Sequence, residues 1–194
     1  IEDSGFGFRH SPAGWPEALG EASGTARPTQ IIIKLAQYAG GQPNPLLERI
    51  AALGLAPRTA IVTAISDLRA CPVKVGVSLS WERLMEEVVA AVRSPACPFV
   101  DPKSGRLAFQ PVIVSLAPSG AVIVGPEDNA LVFDRTGQEN DYAHSIEGQM
   151  MGYNTCLVGA LVTAWVQASG TPDWAEATRT GIGLARLLPL DGYE

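Results

Sequence analysis

The sequence predicts an α/β fold: a three-layer α/β/α sandwich around a mainly parallel sheet, with an antiparallel edge hairpin. Three observations predict it. Two short, β-branched apolar runs, residues 30–35 and 59–65, have the length and composition of buried strands. Helical patterns follow each run, and strand–helix alternation means crossover connections between parallel strands. Residues 111–134 then hold apolar runs split by short turns, as antiparallel neighbours do.

The elements follow in order. Residues 1–29 are rich in Gly, Pro, Ala and Glu. They contain GFGFRHSPAGWPEALG, read as a loop and then a short helix from about Pro16, lying over the domain surface. QIIIKL (30–35) is the first strand. PNPLLERIAALGL carries Leu46, Leu47, Ile50 and Leu53 at helical spacing, with Gly54 as a stop. TAIVTAI (59–65) is the second strand and runs into the polar SDLR. SWERLMEEVVAAVRSP is the clearest helix. Ser80 is its N-cap, Arg83 leaves the capping box incomplete, and Leu84, Val88, Val89 and Val92 share one face. PVIVSLAPSGAVIVG and NALVFD supply three strands, the first two joined by a tight turn. After a polar loop, GQMMGYNTCLVGALV opens a helix running to about Ala168. PDWAEATRTGIGLARLL closes the chain, with Ala177, Ile182, Ala185 and Leu188 on one face.

The chain has 194 residues, the size of one domain with its own core, and residues 1–194 are read as a single α/β domain. A net charge of −6 without any basic run excludes a duplex nucleic-acid binder, which must neutralise phosphates with clustered Lys and Arg. No apolar stretch reaches the roughly 20 residues that span a bilayer, so no membrane partner is expected. The longest, residues 156–166, is expected to be a buried helix. No signal-peptide pattern opens the chain. Cys71, Cys97 and Cys156 are odd in number and widely spaced, without a CxxC pair or a nearby His. Neither a zinc site nor a disulfide framework is expected, and a cytoplasmic location is. No GxSxG, P-loop or GxGxxG occurs, and His10 and His144 have no partner at metal or triad spacing.

Four stretches carry possible chemistry, each with a plain structural alternative. Gly152, Tyr153, Asn154 and Thr155 form a glycine turn into a helix, which binds anions through free N–H groups and the helix dipole. The alternative is a simple cap by Asn154 or Thr155. SLAPSG, Ser115 to Gly120, follows a strand directly, where α/β proteins bind ligands; the alternative is a hairpin turn. Asp67 and Arg69 in SDLR suit a metal, a hydroxyl or an anion, or form a surface pair. Glu82 suits a metal, or only the dipole at its helix start.

Taken together, the order of these pieces resembles the ribokinase-like superfamily, especially the PfkB family of sugar and nucleoside kinases, from about Gln30 onward. In that family a strand ends in a Thr-x-Gly-x-x-Gly turn beside the nucleotide phosphates, and VIVSLAPSGAVIV is similar to it. Ser115 matches the Thr, Gly120 the last Gly, and Ala117 replaces the middle Gly. The family's Gly-Ala-Gly-Asp helix start forms an anion hole and supplies the catalytic base. GYNT resembles it, with Gly152 as the first Gly, Asn154 in place of the second and Thr155 in place of the Asp. WAEATRTGIGLARLL resembles the last helix, which lines the adenine pocket. Of the family's Asn-x-x-Glu metal motif only Glu82 fits, with Leu79 in the Asn place. The resemblance covers the C-terminal part of a typical member.

The resemblance implies a ribokinase-like fold, ATP and Mg²⁺ as cofactors, and a small-molecule substrate or nucleotide as partner. Its nucleotide-binding positions are Ser115, Ala117, Ser119, Gly120, Gly181 and Leu184. The anion hole is Gly152–Thr155, with Asn154 and Thr155 at the catalytic positions and Asp67, Arg69 and Glu82 as substrate or metal candidates. A threonine hydroxyl takes no proton near neutral pH, so Thr155 cannot replace the Asp as general base. The expected function is nucleotide binding by a PfkB-like protein with a degenerate catalytic motif. An active sugar or small-molecule kinase, using Asp67 or Asp141 as base, stands beside it. So does a non-catalytic nucleotide-sensing or partner-binding domain. A homodimer is expected, because edge strands within residues 112–134 need cover.

Overall fold

In the computed structural model the described residues are 2–3, 31–35, 45–70, 80–116, 120–133, 153–168 and 172–186. Among them six strands form one sheet in sequential order. These are β1 (Glu2–Asp3), β2 (Ile31–Leu35), β3 (Thr59–Ala64), β4 (Val112–Ser115), β5 (Gly120–Val124) and β6 (Asn129–Phe133). The first four run parallel. β5 and β6 are antiparallel to their predecessors. The helices are α1 (Pro45–Ala52), α2 (Ile65–Ala70), α3 (Trp81–Val92), α4 (Tyr153–Gln167) and α5 (Trp174–Arg186).

Strand alternation sorts the core into two layers. Ile31, Ile33, Ile61, Val112 and Val114 point to one face and pack with α1, α2 and α3 through Leu47, Ile50, Leu68, Leu84, Val88 and Val92. Ile32, Ala60, Val62, Ile113 and Ile123 point to the other and pack with Leu157 and Leu161 of α4 and Ala177 and Ile182 of α5. The expected three-layer sandwich is present. Burial on both faces is why these strands read as unbroken apolar runs rather than alternating ones. Both crossover helices share a face because the strand order advances one way and such crossovers keep one hand. Each fully buried Ile, Leu or Val contributes roughly 1.5–3 kcal/mol.

Local chemistry sets the ends. Gly54 takes φ 70° after α1, its N–H donates to Ala51 O (3.0 Å) and the Leu55 N–H to Ile50 O (3.0 Å), a Schellman stop. Ser80 caps α3, its Oγ accepting from the Arg83 N–H at 3.3 Å. Asp173 caps α5, Oδ1 accepting from the N–H groups of Ala175 and Glu176, both at 3.0 Å.

Four sequence expectations change. Glu2 and Asp3 pair in parallel with Lys34 and Leu35, so the first 29 residues contain a strand; pairing with a neighbour rather than a local pattern makes it. Ile65 starts α2 instead of ending β3. β4 is paired on both sides, and the antiparallel pair at the edge of the described sheet is β5–β6. The apolar α4 buries only one stripe: Leu157 and Leu161 are buried, but Val162 is 38% and Val166 70% exposed. No described helix is long and apolar enough to cross a membrane.

Candidate functional site

β2, β3 and β4 all end at the same edge of the sheet. Ala64 and Ser115, their strands' last residues, are partners in register, and Ser115 in turn pairs with Ala121. The β4–β5 hairpin closes there through the Leu116 N–H donating to Gly120 O at 2.9 Å. Alternation from Ile32, Val62 and Ile113 puts Lys34, Ala64 and Ser115 on the α4/α5 face. Ser115 and Gly120 are buried, while Ala64 and Lys34 are half-buried. Three small side chains, Ala64, Ser115 and Ala121, therefore stand side by side at the carboxyl edge, with a lysine on the adjoining strand. Outside the carboxyl ends of parallel strands is where open α/β sheets hold ligands.

α4 begins at Tyr153, directly after Gly152, where the glycine turn predicts a helix start. The backbone N–H groups of its first turn have no intrahelical acceptor and carry the positive pole of a 15-residue helix. Gly181 of α5 packs on Leu157 and Ala160, so the middle of α5 lies against the N-terminal half of α4. Leu184, one turn further, is 51% exposed at that end of the helix pair.

The remaining expected positions separate. Gly152, Ala117, Ser119 and Asp141 lie outside the described residues, as do the side chains of Tyr153, Asn154, Thr155, Asp67 and Arg69. Asp67 and Arg69 belong to the short helix α2, directly after β3. Glu82 is exposed in the first turn of α3, in the helix layer opposite α4. The other end of α3 is fixed at the amino edge, where Arg93 Nη2 donates to Gly125 O at 2.9 Å, beside the Val112–Val124 pair.

Two features escaped the sequence reading. Lys34 sits within an apolar strand; its signal is one charge in a five-residue run otherwise wholly apolar. The second is the excursion between α3 and β4. It is held by the Val100–Leu107 bridge and by the buried Phe99 and Phe109, whose rings stand T-shaped with centroids 6.5 Å apart. At its tip the Asp101 carboxylate accepts from Ser104 Oγ (2.6 Å), the Lys103 N–H (3.1 Å) and the Ser104 N–H (3.1 Å). The Ser104 hydroxyl first, then the Lys103 N–H, holds its pKa below the ordinary 3.8. This excursion walls a cavity of about 760 Å³ at the amino edge, the opposite end of the strands from Ser115.

Among the described residues no group of three or more His, Cys, Asp or Glu is placed to hold a metal ion. Mg²⁺ in phosphate sites is held largely by the phosphates and water with one or two carboxylates, so a protein cage is not required for it.

No family model matches the chain, and no curated protein matches it by sequence. Among solved structures it is similar to a fructokinase from Vibrio cholerae O395, determined with fructose, ADP and calcium ion, at 17% identity and a TM-score of 0.41. That overlap covers 80% of this chain and 42% of the fructokinase. It is also similar to a Burkholderia thailandensis nucleoside kinase in complex with inosine, at 13% identity and a TM-score of 0.40, over 88% of this chain and 54% of the kinase. The chain thus spans about half the length of these neighbours.

Proposed function

We propose that the chain is a nucleotide-binding protein of ribokinase-like fold, taking ATP or ADP at the carboxyl edge of its sheet. The observation that supports this is the Ala64–Ser115 pair at the ends of β3 and β4, with Lys34 on the same face of β2 one row back, level with Val62 and Ile113. Ala64 is half-buried at this edge, and a lysine on the same face would supply charge for the phosphates. The start of α4 after Gly152 adds the backbone donors of an anion hole. Mg²⁺ would arrive with the phosphates, with Asp67, just past the carboxyl end of β3, as its protein oxygen.

Thr155 occupies the place of the family's base and cannot take a proton. The proposed role is therefore nucleotide binding with a degenerate catalytic motif. Phosphoryl transfer to a sugar or other small hydroxyl substrate would need Asp67 or Asp141 as base.

The test is thermal melting of the chain with ATP, ADP, AMP and inorganic phosphate, each with and without Mg²⁺. Binding at 100 times Kd stabilises by about 2.7 kcal/mol. A raised Tm with ATP or ADP supports the proposal, and no shift at millimolar nucleotide rejects it. Turnover with a sugar panel, in wild type and in Thr155→Asp, then separates a kinase from a binding domain.

A further inference from the structure

We infer that the amino edge of the sheet carries a second ligand site, and that its cavity takes a small amphipathic organic cation. The inference stands apart from the nucleotide reading. The cavity, about 760 Å³, falls in the size range of small-molecule pockets. It lies between α1 and the excursion that precedes β4. Both segments lead into the first residues of strands, so the cavity is a strand length, roughly 15–20 Å, from the Ala64–Ser115 row.

Three independent features set its chemistry. The first is topological. Crossover helices start at the carboxyl edge and end at the amino edge, so both α1 and α3 bring their negative poles here. Ala51 and Ala52 of α1 line the cavity, and Pro95 and Ala96 follow the C-cap of α3.

The second is a shortage of donors. Pro57, Pro95, Pro98 and Pro102 line the wall and have no N–H. Five other wall N–H groups are already used. Cys97 donates to Ser94 O (2.8 Å), Ala108 to Phe99 O (2.8 Å) and Gln110 to Thr59 O (3.0 Å). The Lys103 and Ser104 N–H groups are taken by the Asp101 carboxylate. A phosphate finds no cradle among these N–H groups, whereas the donors of a cationic ligand would meet the carboxylates of Glu48 and Asp101.

The third is charge. Glu48 and Asp101 line the cavity against a single cation, Lys103. Below this rim lie Leu47, Val100, Leu107 and Phe109, all buried and apolar, which suit a ring or alkyl body. The hydrogen bonds from Ser104 and Lys103 keep Asp101 ionised at neutral pH.

The experiment uses the full chain and matched probes that differ in charge: tryptamine against indole-3-acetate, and benzylamine against benzoate. Titrations are followed by ¹H–¹⁵N NMR. The amines are expected to bind with Kd of about 1 mM or tighter, as befits about ten heavy atoms. Their shifts should map to residues 47–57 and 95–110, with the acids weaker. Glu48→Gln should weaken tryptamine about two- to fivefold, and Lys103→Ala should tighten it by a similar factor. Both changes are at exposed positions. Ala52→Trp, also exposed, should block the cavity. Equal or tighter binding of the acids overturns the inference. So do shifts confined to other residues, unchanged binding in Ala52→Trp, or no binding by either amine. Displacement of tryptamine by ATP would place both at one site and also overturn it. A failed nucleotide melting shift alongside amine binding at residues 47–57 and 95–110 would reject only the nucleotide reading.

Discussion

Gly181 of α5 sits against Leu157 of α4 so closely that a Cβ at position 181 would stand 2.7 Å from Leu157 Cδ1 and 3.0 Å from Leu157 Cα. The Cδ1 can rotate away, but the Cα belongs to the neighbouring helix and moves only if α4 moves. Overpacking of this kind costs about 1–3 kcal/mol. Ala in place of Gly recovers at most about 1 kcal/mol of helix propensity. Gly181→Ala is therefore expected to lower stability by about 1–2 kcal/mol. Gly159, in the middle of α4, is exposed and has nothing within 4 Å of a built Cβ. Gly159→Ala should raise stability by about 0.5–1 kcal/mol. Urea unfolding of both variants checks the pair, and a shift of the same sign in both would refute the close-packing account.

Arg93 ties two layers together. At the C-cap of α3 its Nη2 reaches Gly125 O (2.9 Å), Pro126 O (3.4 Å) and Asn129 Oδ1 (3.3 Å) in the β5–β6 turn. A charged donor to a carbonyl contributes more than a neutral one, so Arg93→Ala is expected to cost about 1–2 kcal/mol. Arg93→Lys should recover only part, because the shorter lysine side chain does not bring its ammonium to the position of Nη2. Chemical denaturation decides it. A change under about 0.5 kcal/mol in Arg93→Ala would put the residue among ordinary surface positions.

The Asp101 turn makes a pH prediction. The folded-state pKa is below the ordinary 3.8, chiefly through the Ser104 hydroxyl. A depressed carboxylate stabilises the fold above its unfolded pKa, and that contribution disappears as pH falls through the folded value. Ser104→Ala removes the largest cause, so Asp101 should titrate closer to 3.8. The stability gap between wild type and variant should be full at neutral pH and close in acid below that value. A carboxyl-carbon NMR titration reads the shift directly, and an unchanged Asp101 midpoint in Ser104→Ala would refute its assigned cause.

Most of the scaffold was legible because its signals are local. β-Branched runs marked β2 and β3, the spacing of Leu47 and Ile50 marked α1, and Gly54 and Ser80 marked helix ends through φ and a hydroxyl. What failed to read depends on distant partners. Glu2 and Asp3 become a strand only beside Lys34 and Leu35. Phe99 and Phe109 are ten residues apart with no period between them, and their burial makes an ordered wall of a stretch that looks like loop. The exposed Val162 and Val166 misled in the other direction: apolar composition cannot say which stripe of α4 the sheet covers. At the carboxyl edge, the place of Ser115 and Gly120 was readable from strand followed by turn. Lys34 was not, because only the register and alternation put it on the same face, in the row of Val62 and Ile113.

Lys34 therefore gives the sharpest test of the carboxyl edge. It is a half-buried cation in a strand whose other members are buried aliphatics. If Lys34 serves only contacts within the fold, its replacement by Met, which preserves length and apolar stem, shows in the Tm of the free protein and not in the preference for phosphate. A residue that meets phosphate loses a charge-assisted contact of about 1.5–3 kcal/mol, or roughly 10- to 100-fold in nucleotide affinity. Lys34→Met is expected to show that loss for ATP and ADP and little change for adenosine, which has no phosphate. Lys34→Arg should keep part of the affinity. Calorimetric titration of the three ligands, beside the melting temperature of each free variant, separates the two roles. Equal losses for adenosine and ATP, or a fall only in the free protein's Tm, would make Lys34 a structural residue and remove the charge on which the proposed phosphate site depends.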